Sequence, residues 1–139
     1  MTIIEVPFSK LPKLFARITG RNGKSREYQA LLSPGSEVSI LPRVDAYHLG
    51  YSEVLQDATT SDITRPENWT TLVSYSSYLN APTVIIKNVS LGPLDFNEVE
   101  FAAHDLPGET GFDLVIGHSL LKHTTTNIDY KRKLLTLGK

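Results

Sequence analysis

Ala30-Leu31-Leu32-Ser33-Pro34-Gly35-Ser36-Glu37-Val38-Ser39-Ile40-Leu41-Pro42 is an apolar strand that breaks off and then resumes. Ala30, Leu31 and Leu32 lead into Ser33-Pro34-Gly35-Ser36, where proline fixes φ and glycine opens a backbone path that side chains close. The apolar pattern returns at Val38, Ile40 and Leu41 with polar residues between, which predicts a second strand directly after the turn. A break of this kind inside a core aims side chains at a cavity. Loops held between rigid strands are where chemistry is commonly carried.

Upstream of the break, Phe15-Ala16-Arg17-Ile18-Thr19 alternates in part, Gly20-Arg21-Asn22-Gly23 supplies turn chemistry, and Glu27 to Leu32 is the return strand. Residues 15–32 therefore read as a hairpin that delivers Ser33 to the loop. Arg17, Arg21, Lys24 and Arg26 read as its solvated face. Thr2 to Val6 alternates weakly and stops at Pro7, as a short edge or interface strand does, with no partner identifiable. Downstream, Arg43 to Gly50 reads as one short helix, with Val44, Tyr47 and Ala46 on the buried face and Gly50 as its stop. After a polar stretch, Leu72 to Leu79 reads as a strand, with Pro66-Glu67-Asn68-Trp69 as the turn before it. Thr83 to Val89 and Phe96 to Ala102 form a second hairpin around Leu91-Gly92-Pro93-Leu94-Asp95. Asn127-Ile128-Asp129-Tyr130 and Leu134-Leu135-Thr136-Leu137 form a last one around Lys131-Arg132-Lys133. Hairpins in this number, with one or two short helices, define an all-β domain.

The chain has 139 residues, a single domain over 1–139 that is long enough for a core and too short for two lobes. Its 40% hydrophobic and 21% charged composition, with net charge −1, argues against a nucleic-acid or anionic-membrane partner. There is no cysteine, hence no disulfide and no thiolate metal site. The start lacks a basic segment followed by an apolar run, and no later run is long enough to span a bilayer, so the chain reads as cytoplasmic. The sequons at Asn68 and Asn88 then read as chance matches. His118 and His123, five apart, miss the helical spacing that puts two ligands on one face, so neither metal nor cofactor is expected.

The loop at Leu31-Leu32-Ser33-Pro34-Gly35-Ser36 and the later run Leu114-Val115-Ile116-Gly117-His118-Ser119-Leu120-Leu121 together resemble the retropepsins, the retroviral-type aspartic peptidases. In that family two apolar residues precede Asp-Thr/Ser-Gly-Ala/Ser, and a late apolar run ends in Gly, often Arg, then Asn or Asp and Leu. Gly35, Ser36 and Gly117 match. Ser33 stands where the family places its catalytic Asp, Pro34 where it places Thr or Ser, His118 for Arg, and Ser119 for Asn or Asp. The order Ser-Ile-Leu-Pro, short helix, Leu-Gly-Tyr also resembles the segment after the loop in cellular and prokaryotic members. The resemblance implies a retropepsin-like closed β-barrel, one half of an acid protease, that forms a two-fold homodimer and takes an extended peptide or protein substrate. It implies a flap within about residues 60–80 with Trp69 near its tip. It implies a substrate-facing strand at Val115, Ile116 and Gly117, with Gly117 letting that strand pass close behind the loop. Ser119 is expected to cap the helix after it.

An aspartic peptidase needs two carboxylates that share one proton across a water molecule. One copy of the loop per chain means one carboxylate per chain, so the site closes only at a two-fold axis. Two Ser33 hydroxyls at that axis stay protonated near neutrality and do not act as a base toward water. Pro34 is a second loss, because it has neither the hydroxyl nor the N–H that would bind the two loops together. A replaced Asp alone is what a deliberate inactivation leaves; with Thr gone as well, a natural pseudo-enzyme fits as readily. Glu37 reaches the axis only through a register shift. Ser33 as a nucleophile, with His48, His104, His118 or His123 as base and Asp113 or Asp129 as orienter, lacks a Gly-x-Ser-x-Gly elbow and any spacing that selects one histidine. The alternative to a disabled peptidase is a non-catalytic peptide-binding or dimerisation module on the same fold.

Overall fold

The computed structural model describes residues 2–52, 69–73, 78–106 and 111–139. The chain begins with β1 (Ile3–Pro7) and the hairpin β2 (Lys13–Thr19) and β3 (Ser25–Leu32). Leu14, Ala16 and Ile18 on β2 point inward while Phe15 and Arg17 point out, so the period-two pattern closes one face of the sheet on the core. Strand β4 (Ser39–Leu41) and helix α1 (Arg43–His48) come after the loop. The hairpin β5 (Trp69–Val73) and β6 (Tyr78–Ile86) is next, then β7 (Asn88–Leu91), β8 (Leu94–Phe96), β9 (Val99–Ala103) and β10 (Leu114–Ile116). Helix α2 (His118–Leu121) and the hairpin β11 (Thr125–Asp129) and β12 (Leu134–Gly138) end the fold.

Among the described residues nine strands form one curled half-barrel sheet in the order β5-β6-β9-β4-β10-β3-β2-β7-β8, and β1-β12-β11 form a second. The partner of β1, which local pattern does not reveal, is β12, paired from Ile3↔Gly138 to Pro7↔Leu134. The predicted second hairpin is divided. β6 and β9 pair as expected, Ile86 opposite Val99, but Asn88 to Phe96 forms its own hairpin, which leaves them to pair with β2, Arg17 opposite Ser90. Val89, Leu91, Leu94 and Phe96 are all buried, and the pairing of β7 with β2 is what brings the apolar face of this hairpin onto the common core. The buried face of α1 also differs from the expected one: Ala46 and the adjoining Leu49 are fully buried, whereas Val44 and Tyr47 are about half exposed. Gly50 stops the helix with φ +97°, in the left-handed region that glycine enters freely.

Phe96, Phe101, Ile18, Leu41, Ile86, Leu114, Ile116 and Leu135 fill the core without exposure, each side chain contributing about 1.5–3 kcal/mol by leaving water. Among the described residues no helix is long and apolar enough to cross a membrane.

Candidate active site

Strand β10 lies between β3 and β4, parallel to the first and antiparallel to the second. The 33–38 loop that joins β3 to β4 must therefore pass over the C-terminal end of β10. That single topological fact positions the loop.

Hydrogen bonds then fix it in place. Ser33 N–H donates to Ile116 O at 2.9 Å, extending the β3–β10 ladder by one residue. Ser36 N–H donates back to Ser33 O at 3.0 Å, closing a four-residue turn. Pro34 takes the second position of that turn, where its fixed φ fits and its missing N–H costs nothing. The Ser36 hydroxyl donates to Val38 O at 2.7 Å, and His118 N–H to Ser36 O at 2.7 Å, so the loop is tied to itself and to the start of α2.

Gly117 sits where the loop crosses. A Cβ there would stand 2.7 Å from Ser36 O and 2.9 Å from the Val38 carbonyl carbon, and closer still to Val38 O. Its φ of −112° is open to any residue, so the demand is for space rather than for backbone freedom. Gly35 reverses the expectation. Its φ lies outside the left-handed region, and a Cβ would meet nothing within 4 Å, so nothing in the single chain requires glycine there.

Behind the loop lies a pair of buried serines that the motif does not announce. Gly117 N–H donates to Ser39 Oγ at 3.0 Å, and Ser39 N–H to Ser119 Oγ at 2.9 Å. The Ser119 hydroxyl reaches Glu100 O at 2.7 Å. Ser119 thus does not cap α2 as expected; the position before the helix is Gly117, and no side chain caps it. The Ser119 hydroxyl instead joins α2, β4 and β9 into one support under the loop. Ser119→Ala leaves buried backbone groups without partners and is expected to cost about 1–3 kcal/mol, read as a lowered urea midpoint.

The other predicted residues divide. Ile116 is fully buried in the core and Gly117 offers no side chain, so of the three residues expected to face substrate only Val115 carries a side chain outside the core cluster, on the other face of the sheet, and that side chain is only 7% exposed in the single chain. There it lies beside Leu31 and Ile40, its partners on β3 and β4, and Ala102 and Thr83 continue the row onto β9 and β6. Leu31 and Ile40 are part-buried apolar residues next to the loop that sequence reading leaves as plain strand positions. The expected turn at Pro66 to Asn68 lies outside the described residues. Trp69 is not at a hairpin tip: it opens β5 opposite Pro82, and the reversal comes after Val73, which pairs with Tyr78. The strand expected over Leu72 to Leu79 is thereby two strands, with 74–77 outside the described residues. β6 pairs with β5 from Tyr78 to Pro82 and with β9 only from Thr83 onward, so the β5–β6 hairpin extends past the end of β9 at the end of that row.

Chemically, the loop carries hydroxyls and no carboxylate except Glu37, which is exposed. Among the described residues the Ser33 hydroxyl has no hydrogen bond to a histidine, and no three His, Asp or Glu side chains converge to hold a metal ion.

No protein-family model matches the chain, and no curated protein matches it by sequence. Solved structures do. A retropepsin-like aspartic protease from Rickettsia conorii superposes with a TM-score of 0.64 at 19% identity, covering 98% of this chain and 89% of that one. The fold is the retropepsin-like one, across essentially the whole chain.

Proposed function

We propose that this chain is one half of a retropepsin-type peptide-binding site, built to pair two-fold with a second copy, and that in its present form it does not hydrolyse peptides. The observation that carries the reading is the crossing of the 33–38 loop over β10. It supports a loop of aspartic-peptidase type in which Ser33 occupies the position of the acid. The row Leu31, Val115 and Ile40 is the floor on which an extended peptide lies, and the projecting β5–β6 hairpin is the flap over it. Hydroxyls at the axis supply no base, so the chemistry stops at binding.

A second reading has its own support. Pro34 fits the turn better than it fits a peptidase, while the scaffold beneath is complete in Gly117, Ser39 and Ser119. That combination suits a module that has kept its shape and exchanged catalysis for holding a peptide strand. A cytoplasmic setting goes with either reading, in keeping with a chain that has no cysteine.

Sedimentation equilibrium at micromolar concentration is expected to give twice the chain mass, and a mixed peptide library from acidic to neutral pH is expected to stay uncut. A monomer at those concentrations removes the two-fold site. Cleavage by the unaltered protein removes the claim of inactivity.

A further inference from the structure

The row of residues that begins at Thr83 does not end at Leu31. On its far side β3 pairs with β2, and the register sets Lys13 opposite Leu31. Residues paired directly across strands share a face, so the row runs Lys13, Leu31, Val115, Ile40, Ala102, Thr83. Burial along β2 agrees with this side: Leu14 belongs to the core, and Phe15, one residue further, is 67% exposed. Lys13 is the one charged residue in the row.

Its ammonium is held in place and left without a counter-ion. Lys13 is part-buried, and its Nζ donates to Gly111 O at 3.2 Å. That bond takes one of the three donors an ammonium carries. Among the described residues no carboxylate pairs with it. Asp113, which precedes β10, gives Oδ2 to Gln29 N–H instead, at 3.0 Å. An apolar floor discriminates weakly among apolar side chains, whereas a charge at its end discriminates by sign.

The spacing says where a ligand's charge would fall. Adjacent strands lie about 4.8 Å apart, and an extended peptide advances about 6.8 Å between side chains on one face. A side chain seated midway between Val115 and Leu31 therefore sets the next one on that face, two residues along, over Lys13.

We propose that Lys13 sets the charge preference of this cleft, selecting an extended peptide with aspartate or glutamate two residues from an apolar side chain that rests between Val115 and Leu31. The carboxylate accepts from Nζ, and the apolar residue covers the floor. The inference rests on the peptide-binding reading above and adds to it the chemistry of the ligand.

The test passes a random octapeptide library, blocked at both ends, over the immobilised full chain at low salt and sequences what is retained. Apolar peptides are expected, with Asp or Glu two positions from an apolar residue enriched about fivefold over the input, the scale of one partly exposed ion pair. Lys13→Met keeps the stem and removes the charge; it is expected to retain apolar peptides as before and to lose the acidic enrichment. Lys13→Arg is expected to keep that enrichment. A parent chain that retains no peptide fails the cleft reading itself, and this inference with it. Apolar peptides retained without acidic enrichment overturn the role of Lys13 and leave the cleft standing. Enrichment that persists in Lys13→Met, or loss of all retention in that variant, also overturns it.

Discussion

Gly117→Ala is expected to lose about 3 kcal/mol of stability or more, lowering the urea midpoint with little change in slope. The added methyl meets the Ser36 and Val38 carbonyls, which are backbone and do not swing aside as a long side chain would. Moving them breaks three hydrogen bonds together: Gly117 N–H to Ser39 Oγ, His118 N–H to Ser36 O, and Ser36 Oγ to Val38 O. Gly35→Ala is the control, two residues into the same loop. Its Cβ enters open space, so the single chain is expected to keep its midpoint within about 0.5 kcal/mol. A Gly117→Ala protein as stable as its parent would mean that the loop does not cross β10 as described.

The contrast between these two glycines shows what the sequence makes legible. The all-β class, the hairpins 13–32 and 125–138 and the short helix after Pro42 come from local alternation and turn residues. Gly117 is legible through its motif. Three features need the sheet order, which no local pattern carries: the insertion of β10 between β3 and β4, the pairing of β1 with β12, and the pairing of β7 with β2. Period two gives the face a residue occupies and not the neighbour it meets there. Leu31 and Ile40 thus look like core, and they belong to the face opposite it. Helix α1, only six residues long, is too short for its pattern to choose between the Val44/Tyr47 face and the Ala46/Leu49 face. Ser119 invites a capping role by type and position. Its partners, Ser39 and Glu100, are 80 and 19 residues away in the chain. Trp69 is misplaced because Leu72 to Leu79 reads as one strand, where the hairpin reverses within it.

Peptide cleavage by Ser33→Asp with Pro34→Thr is the other large effect. In the proposed two-fold pair each copy of the loop would bring one carboxylate to the axis, and two carboxylates held close share a proton, one serving as base and the other as acid. In the proposed two-fold pair, threonine would supply a hydroxyl able to tie one loop to the other. Ser33→Asp alone is expected to give less, because Pro34 leaves the pair unheld. The gain over the parent is expected to be at least about a thousandfold, with a bell-shaped profile on the acid side of neutrality. The decisive measurement is therefore the rate at which the purified double variant cuts a mixed peptide library between acidic and neutral pH. Cleavage that a transition-state-mimicking aspartic peptidase inhibitor blocks is the predicted result. A folded, dimeric double variant that cuts nothing would contradict the claim that this loop is an aspartic-peptidase site lacking its acid.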